Sequence, residues 1–223
     1  RLLTANLLAG AADSAEVVRL VRTHRVDVLT LQEFTPRAQE QLHRNGLTAL
    51  LPYRQATPEA GTTGSAVYSR FPLTKGGTRR NEGGFNQAYG SLAVPGAPPV
   101  LAESAHPMAP YAISVLPSWW RDLRAQPRAM PEGPLRVLAG DFNATLDHAA
   151  LRALLDTGYV DAAAAAGAGL AGTWGPYDGD PIPPVVIDHV LVDRRIGVRA
   201  VSVHPLPGSD HRAVFAELRL PPR

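Results

Sequence analysis

The sequence predicts a layered α/β protein, and three observations predict it. Strand candidates run from the first residues to the last with few helices between them, the order that stacked sheets and helices require. Several strands are near-continuous apolar runs, as at 26–33, 135–141 and 185–192, so both faces of their sheet must be covered. The 223 residues, 45% of them apolar, are enough to close a sizeable core, and no repeat of ~20–50 residues points to a solenoid.

Each element has its own signal. Residues 1–6 read as a first strand. Asp13 with Glu16 three residues later is a capping box, opening a helix whose Val17, Leu20, Val21 and His24 share one face. The buried strand 26–33 follows; Thr35 and Pro36 then stand as N-cap and N1 of a second helix that Gly46 stops. Short strands are expected at 53–56, 65–69, 87–94 and 100–105, with a polar Gly- and Arg-rich loop between Phe71 and Phe85. A helix at 119–126, a turn-rich link at 127–134, a strand at 135–141 and a helix at 146–155 ended by Gly158 come next. Ala162 to Ala166 reads as a helical turn on the surface, and strands at 185–192, 198–204 and 212–220 close the chain. No boundary divides the sequence, so residues 1–223 are expected to form one domain.

Composition excludes several classes. Without Cys there is no disulfide framework, thiol nucleophile, iron–sulfur cluster or Cys-based zinc site. No run approaches the ~18 apolar residues of a membrane helix. With 22 basic and 20 acidic residues the net charge is only +2, so a nucleic-acid surface would have to be a local basic face. Lys75 is the single lysine; the other basic residues are Arg, which pairs bidentately with phosphate but here also accompanies a general excess of Ala and Pro.

Polar residues sit where buried strands run out. Asn6 and Glu33 end the first two; Asp141 and Asn143 follow the run 135–140; Asp210 and His211 precede the last strand. Loops at strand ends are where α/β proteins place ligands. Taken singly, Glu33 reads as a turn residue and Asp141-Phe-Asn143 as a turn capping the next helix. Asp188 is harder to explain that way, since a carboxylate between Ile187 and Val190 is costly to bury unless a cation or strong donor faces it. Strand alternation turns His189 to the opposite face, where it reads as a structural histidine. Together, Glu33, Asp141, Asp188 and Asp210 would gather carboxylates at one strand-end face, a set of oxygen ligands suited to Mg²⁺ or Mn²⁺.

In this order, Asn6, Gln32-Glu33, Gly64-Ser-Ala-Val-Tyr-Ser-Arg70, Gly140-Asp-Phe-Asn143, Ile187-Asp188-His189-Val190 and Ser209-Asp210-His211 resemble the endonuclease/exonuclease/phosphatase superfamily from the first strand to the last. The resemblance implies a four-layer α/β/β/α sandwich of two mixed β-sheets, the DNase I-like fold. It makes Glu33 the principal metal-binding residue with Asn6 beside it, and Asp210 a metal-site carboxylate. Asp141 would position or activate water, Asn143 contact the phosphate, His211 act as the catalytic histidine and Asp188 orient it. His106 stands where many members carry a phosphate-stabilising histidine. The implied activity is hydrolysis of a phosphoester with Mg²⁺ or Mn²⁺, foremost as a phosphodiesterase of nuclease type. Hydrolysis of a phospholipid or small phosphorylated metabolite is the alternative, followed by a non-catalytic domain of the same fold.

The sequence departs from its relatives at substrate-reading positions. Val186 stands where many nucleases of the family carry Arg, which weakens the case for DNA, and neither the Trp-Cys-Asp-Arg type signature of inositol phosphatases nor the long aromatic-tipped hairpin of some sphingomyelinases is evident. Arg79 and Arg80 are candidate phosphate contacts, Trp119 and Arg121 a candidate stacking platform, and Tyr111 and Tyr177 candidate cleft borders. The partner is expected to be a phosphoester substrate, nucleic acid included, and the protein a monomer. The first residue is Arg, which suggests an exported or membrane-anchored location in the cell envelope.

Overall fold

Two six-stranded sheets stack face to face and carry helices on their outer sides, in a computed structural model that describes residues 1–175 and 183–223. In chain order the first half comprises β1 (Leu2–Asn6), α1 (Ser14–Thr23), β2 (Val28–Gln32), α2 (Pro36–Arg44), α3 (Leu47–Leu50), β3 (Tyr53–Thr57), β4 (Ser65–Ser69), β5 (Leu73–Arg80), β6 (Asn86–Leu92) and β7 (Val100–Ala105). The second half adds α4 (Leu116–Arg124), β8 (Leu135–Asp141), α5 (Ala149–Leu155), β9 (Tyr159–Asp161), α6 (Ala162–Ala165), β10 (Asp188–Asp193), β11 (Gly197–Pro205) and β12 (Arg212–Arg219). One sheet runs β11-β12-β1-β2-β4-β3 and the other β5-β6-β7-β8-β10-β9. Each is mixed: β1 with β2 and β7 with β8 are parallel, and the remaining pairs are antiparallel.

Alternating side chains explain the continuous apolar runs. In the first sheet Leu3, Leu29, Leu31, Tyr68 and Phe215 point outward to α1, α2 and α3, while Leu2, Val28, Val67 and Val214 point inward. The inward set meets Val100, Val137, Val190 and Val192 of the second sheet, whose outer face packs Leu138 and Leu191 beneath α4 and α5. The result is the four-layer sandwich that the resemblance implied. Both N-caps form: the Asp13 carboxylate accepts from Ala15 and Glu16 N–H, and the Thr35 hydroxyl accepts from Ala38 N–H above Pro36 at N1. The capping box stays half-made, since the Glu16 carboxylate accepts from Arg19 and the Asp13 N–H donates to the Pro207 carbonyl.

Three readings of local structure are corrected. The stretch after Phe71 is β5, an edge strand rather than a loop; its polar, Gly-containing sequence hides a register shift between Thr74 and Gly77. The helix expected from residue 146 starts at Ala149, because residues 145–148 form a turn closed by His148. The alanine run is helical, but Ala162 and Ala163 are buried instead of lying on the surface.

Topology brings the polar strand ends to one edge. The ends of parallel β1 and β2 and of parallel β7 and β8 point the same way, and β12 and β10 begin there because they run antiparallel to β1 and β8. A buried polar clamp ties the two sheets together at this edge: Gln32 Nε2 donates to Ser104 Oγ at 2.8 Å, and Ser104 donates to the Leu31 carbonyl at 2.9 Å. Gly140 makes the approach possible, since a Cβ there would stand 2.0 Å from the Ala105 carbonyl oxygen and 2.8 Å from Gln32 Nε2.

Candidate active site

At this edge the chain after β1 turns through three left-handed residues, Leu8, Ala9 and Gly10. That turn aims the Ala9 N–H at Glu33 Oε2, 2.6 Å away, and the Leu8 N–H at Asn6 Oδ1, 3.0 Å away. Glu33 and Asn143 themselves hold φ of 55° and 48°, strain of the kind that collects at functional sites. The Asn6 amide nitrogen bridges Glu33 Oε1 at 3.2 Å and Asp141 Oδ2 at 3.1 Å. Because a backbone N–H can only donate, Leu8 fixes the amide's orientation.

Asp188 and Asp141 lie directly opposite each other in the β10–β8 register. Two like charges so placed repel, and His211 answers them. Its Nδ1 donates to Asp188 Oδ2 at 2.9 Å, while Nε2 lies 3.7 Å from Asp141 Oδ2 and 3.9 Å from Asp210 Oδ1. Burial works against its charge, but the Asp188, Asp141 and Asp210 carboxylates outweigh burial and push the imidazole up to about 10. Ser209 anchors this turn by donating to the Asn6 carbonyl at 2.9 Å and accepting the His211 N–H at 3.1 Å. Thr173 Oγ1 similarly accepts the N–H groups of Ile187 and Asp188, and Trp174 Nε1 donates to Asp210 Oδ2 at 2.9 Å.

His106 completes the floor. It is buried, 3.8 Å from Asp141 Oδ2 and edge-on to Phe85. Burial holds it down at about 4, against the pull of Asp141, so it is a neutral ring. Its Nδ1 is buried with no hydrogen-bond partner among the described residues, as is Asp188 Oδ1. Asn143 donates its side-chain amide to the Pro107 carbonyl and its backbone N–H to Asp141 Oδ1.

The donor set fits a hard divalent cation. Burial pushes the Glu33 carboxyl up, with Asp141 adding to the effect, against the N–H donors of Ala9 and Asn6. Burial likewise raises Asp141, against His211 and with the help of Asp188. A further positive charge beside them would keep both ionised, and carboxylate oxygens without thiolate suit Mg²⁺ or Mn²⁺. Asp141, Asp188 and His211 also bring ligand atoms within 4.8 Å of one another. With Nδ1 spent on Asp188 and the imidazolium favoured, His211 suits proton chemistry better than ligation.

Asn6, Glu33, His106, Asp141, Asn143, Asp188, Asp210 and His211 therefore meet at one edge, most of them lining a cleft of about 560 Å³. Asn6 accepts the Leu8 N–H on its amide oxygen and donates its amide nitrogen to two carboxylates, so it clamps Glu33 to Asp141. The proposed arginine contacts are each paired in this structure. Arg79 is held by Glu103 and Gln126, Arg80 pairs with Glu59 and Arg121 with Glu82. Trp119 is core beneath the site, its indole N–H donating to the Asn143 carbonyl. Tyr111 does border the cleft, and Tyr177 lies outside the described residues. The sequence reading missed Thr173, Trp174, Phe85 and His148; only their tertiary neighbours, not any spacing, mark them.

Comparison with known proteins decides the family. The model of the Endonuclease/Exonuclease/phosphatase family matches residues 3–211. The chain belongs to this family. Its members are in general phosphoester hydrolases that depend on a divalent metal. Among solved structures, a humanised TDP2 of D. rerio superposes with a TM-score of 0.77 at 14% identity, covering 98% of each chain. A family protein from Leptotrichia buccalis gives 0.75 at 16% identity, over 98% of this chain and 99% of that one. A third, from Beutenbergia cavernae, gives 0.74 at 18% identity, over 98% of this chain and 71% of that one. At these identities the likeness is one of fold. No curated protein matches the chain in sequence.

Proposed function

We propose that residues 1–223 act as the catalytic domain of a divalent-metal-dependent phosphodiesterase with nuclease-type chemistry. The observation that carries this reading is the meeting of Glu33, Asn6, Asp141, Asp188 and His211 at a shared strand edge, linked by hydrogen bonds from Glu33 through Asn6 to Asp141 and from His211 to Asp188, with the His211 imidazole 3.7 Å from Asp141. Glu33 and Asp210 are the residues that would hold the metal. Bound there, a dication would neutralise phosphate oxygens and the leaving oxygen as a Lewis acid.

The chain's own residues do the rest. Asp141, raised by burial toward the range of a working base, accepts the proton of an attacking water. The water oxygen forms a new bond to phosphorus, the ester bond opposite breaks, and the departing oxygen takes a proton from solvent. The products are a phosphomonoester and an alcohol. His211, charged and fixed by Asp188, donates through Nε2 to a phosphoryl oxygen as charge builds there. His106, neutral and rigid, offers a second donor. Asp188 keeps His211 in its orientation and balances its charge.

Hydrolysis of bis-p-nitrophenyl phosphate is expected to disappear on chelation and return with Mg²⁺ or Mn²⁺. In Glu33→Gln, the metal concentration for half-maximal rate should rise by roughly 10–100-fold or more, with a matching loss of affinity in calorimetry of the metal alone. Activity that survives exhaustive chelation overturns the reading.

A further inference from the structure

The cleft beside the carboxylates has apolar walls. Phe85, Pro110, Tyr111, Trp174, Val185 and Ile187 line it and, among the described residues, no Arg or Lys does. The chain has 22 basic residues, yet the sequence 176–182 contains none, and Arg79, Arg80 and Arg121 are each paired with a carboxylate. A polynucleotide derives most of its non-specific affinity from basic side chains that displace its counterions. Among the described residues this cleft offers it no Arg or Lys, only the His211 imidazole already paired with Asp188, beside three carboxylates, Glu33, Asp141 and Asp210. An apolar substituent gains by leaving water against the same walls.

One polar group interrupts the apolar wall. His148 lines the cleft half-buried, with its ring edge-on to Trp119 at 5.1 Å. Its Nδ1 accepts the backbone N–H of Thr145 at 2.9 Å. The Thr145 hydroxyl and carbonyl oxygens also lie 3.2 and 3.3 Å from Nδ1, but the shortest contact is the N–H, which can only donate. Nδ1 therefore accepts and the ring proton sits on Nε2, which has no partner among the described residues. His148 is thus a fixed single donor, held in place before any substrate arrives.

We propose that the cleft selects phosphodiesters carrying one apolar arm, aryl or acyl-chain, over an internal bond of a polynucleotide, with His148 Nε2–H donating to an acceptor on that arm. This rests on the phosphoesterase reading and narrows its substrate.

The test keeps the leaving group constant. Diesters of p-nitrophenol whose other arm is methyl, naphthyl, hydroxynaphthyl or oligothymidylate are compared by kcat/KM with Mg²⁺, at low and high salt. The naphthyl arm is expected to exceed methyl by at least about tenfold, with little salt dependence. Ile187→Arg should erase that preference and improve the oligothymidylate diester. His148→Phe, which keeps the apolar wall, should lower the hydroxynaphthyl diester about tenfold more than the methyl one. Phosphatidylcholine vesicles beside the soluble naphthyl diester identify the source of the arm: cleavage in vesicles marks a lipid, and cleavage of the soluble diester alone marks a soluble aryl ester. Naphthyl no better than methyl, or oligothymidylate preferred with a steep salt slope, overturns the proposal and leaves the phosphoesterase reading standing. No hydrolysis of any diester with Mg²⁺ or Mn²⁺ overturns that reading as well.

Discussion

Two adjacent residues of β10 take part in aspartate–histidine pairs of identical length on opposite faces of the strand. Asp188 accepts from His211 Nδ1 at 2.9 Å, and His189 Nδ1 donates to Asp161 at 2.9 Å. The difference lies at the second ring nitrogen. His189 Nε2 donates to the Ala144 carbonyl at 2.9 Å in a fully closed interior. His211 Nε2 faces two carboxylates across 3.7 and 3.9 Å at the edge of the cleft. Both of His189's partners only accept, so both its ring nitrogens are engaged, whereas His211 keeps one nitrogen without a hydrogen bond, at the cleft. An Asp–His pair is therefore no mark of catalysis; an Nε2 turned toward an open, acidic cleft is the discriminating feature.

The largest effect that would sharpen this contrast is loss of His211. His211→Ala is expected to lower kcat/KM on the order of 10³–10⁴-fold while circular dichroism stays that of the folded protein. His189→Ala should leave the folded fraction active. If both variants, or neither, lose activity, the two pairs are not functionally distinct. Asp188→Asn comes next, with a loss of about 10²-fold. The amide still accepts from Nδ1 but no longer balances the imidazolium, so the His211 pKa moves down from its position of about 10. The alkaline limb of the kcat/KM profile should then shift to lower pH; an unmoved limb would show that Asp188 does not set the charge of His211.

The opposite facing of Asp188 and His189 was legible in the sequence because it follows from strand periodicity, while the pairing of Asp188 with His211 came only with the resemblance. Asp188 in an apolar run had to be compensated, and the alternation placed His189 on the other face. The gathering of Glu33, Asp141, Asp210 and His211 was legible only through the order of their motifs, since the topology that joins β1, β2, β8, β10 and β12 at one edge is not a local property. Arg79 shows the limit. As a residue in a Gly- and Arg-rich stretch it looks free, but Glu103 on β7 and Gln126 after α4 reach it across the outer face of the sheet. The same stretch hid β5, where the register shift and polar composition of an exposed edge blur the period of two. His148 lies in a turn and Trp174 in isolated antiparallel bridges to Val185 and His211, neither with any periodicity, and their partners Thr145 and Asp210 become visible only in three dimensions.

The smallest effect concerns stability and its sign with pH. Removing one partner of a buried ion pair costs roughly 3–5 kcal/mol, so His189→Asn should lower unfolding stability by about that amount or less, since the amide can restore one hydrogen bond, with the specific activity of the folded enzyme kept. Burial opposes the His189 charge, but Asp161 and the Ala144 carbonyl prevail and its pKa is raised. The folded protein therefore keeps a proton that the unfolded chain releases near pH ~6.5. Its stabilisation is complete below that value and is lost as pH rises through the folded pKa. His211 acts in the same direction up to about 10, so the wild type should lose stability across the alkaline range. In denaturant titrations from pH 6 upward, His189→Asn should begin from lower stability but fall less steeply just above ~6.5. Parallel curves would mean that His189 is neutral in the fold, and the two pairs would then differ in charge as well as in surroundings.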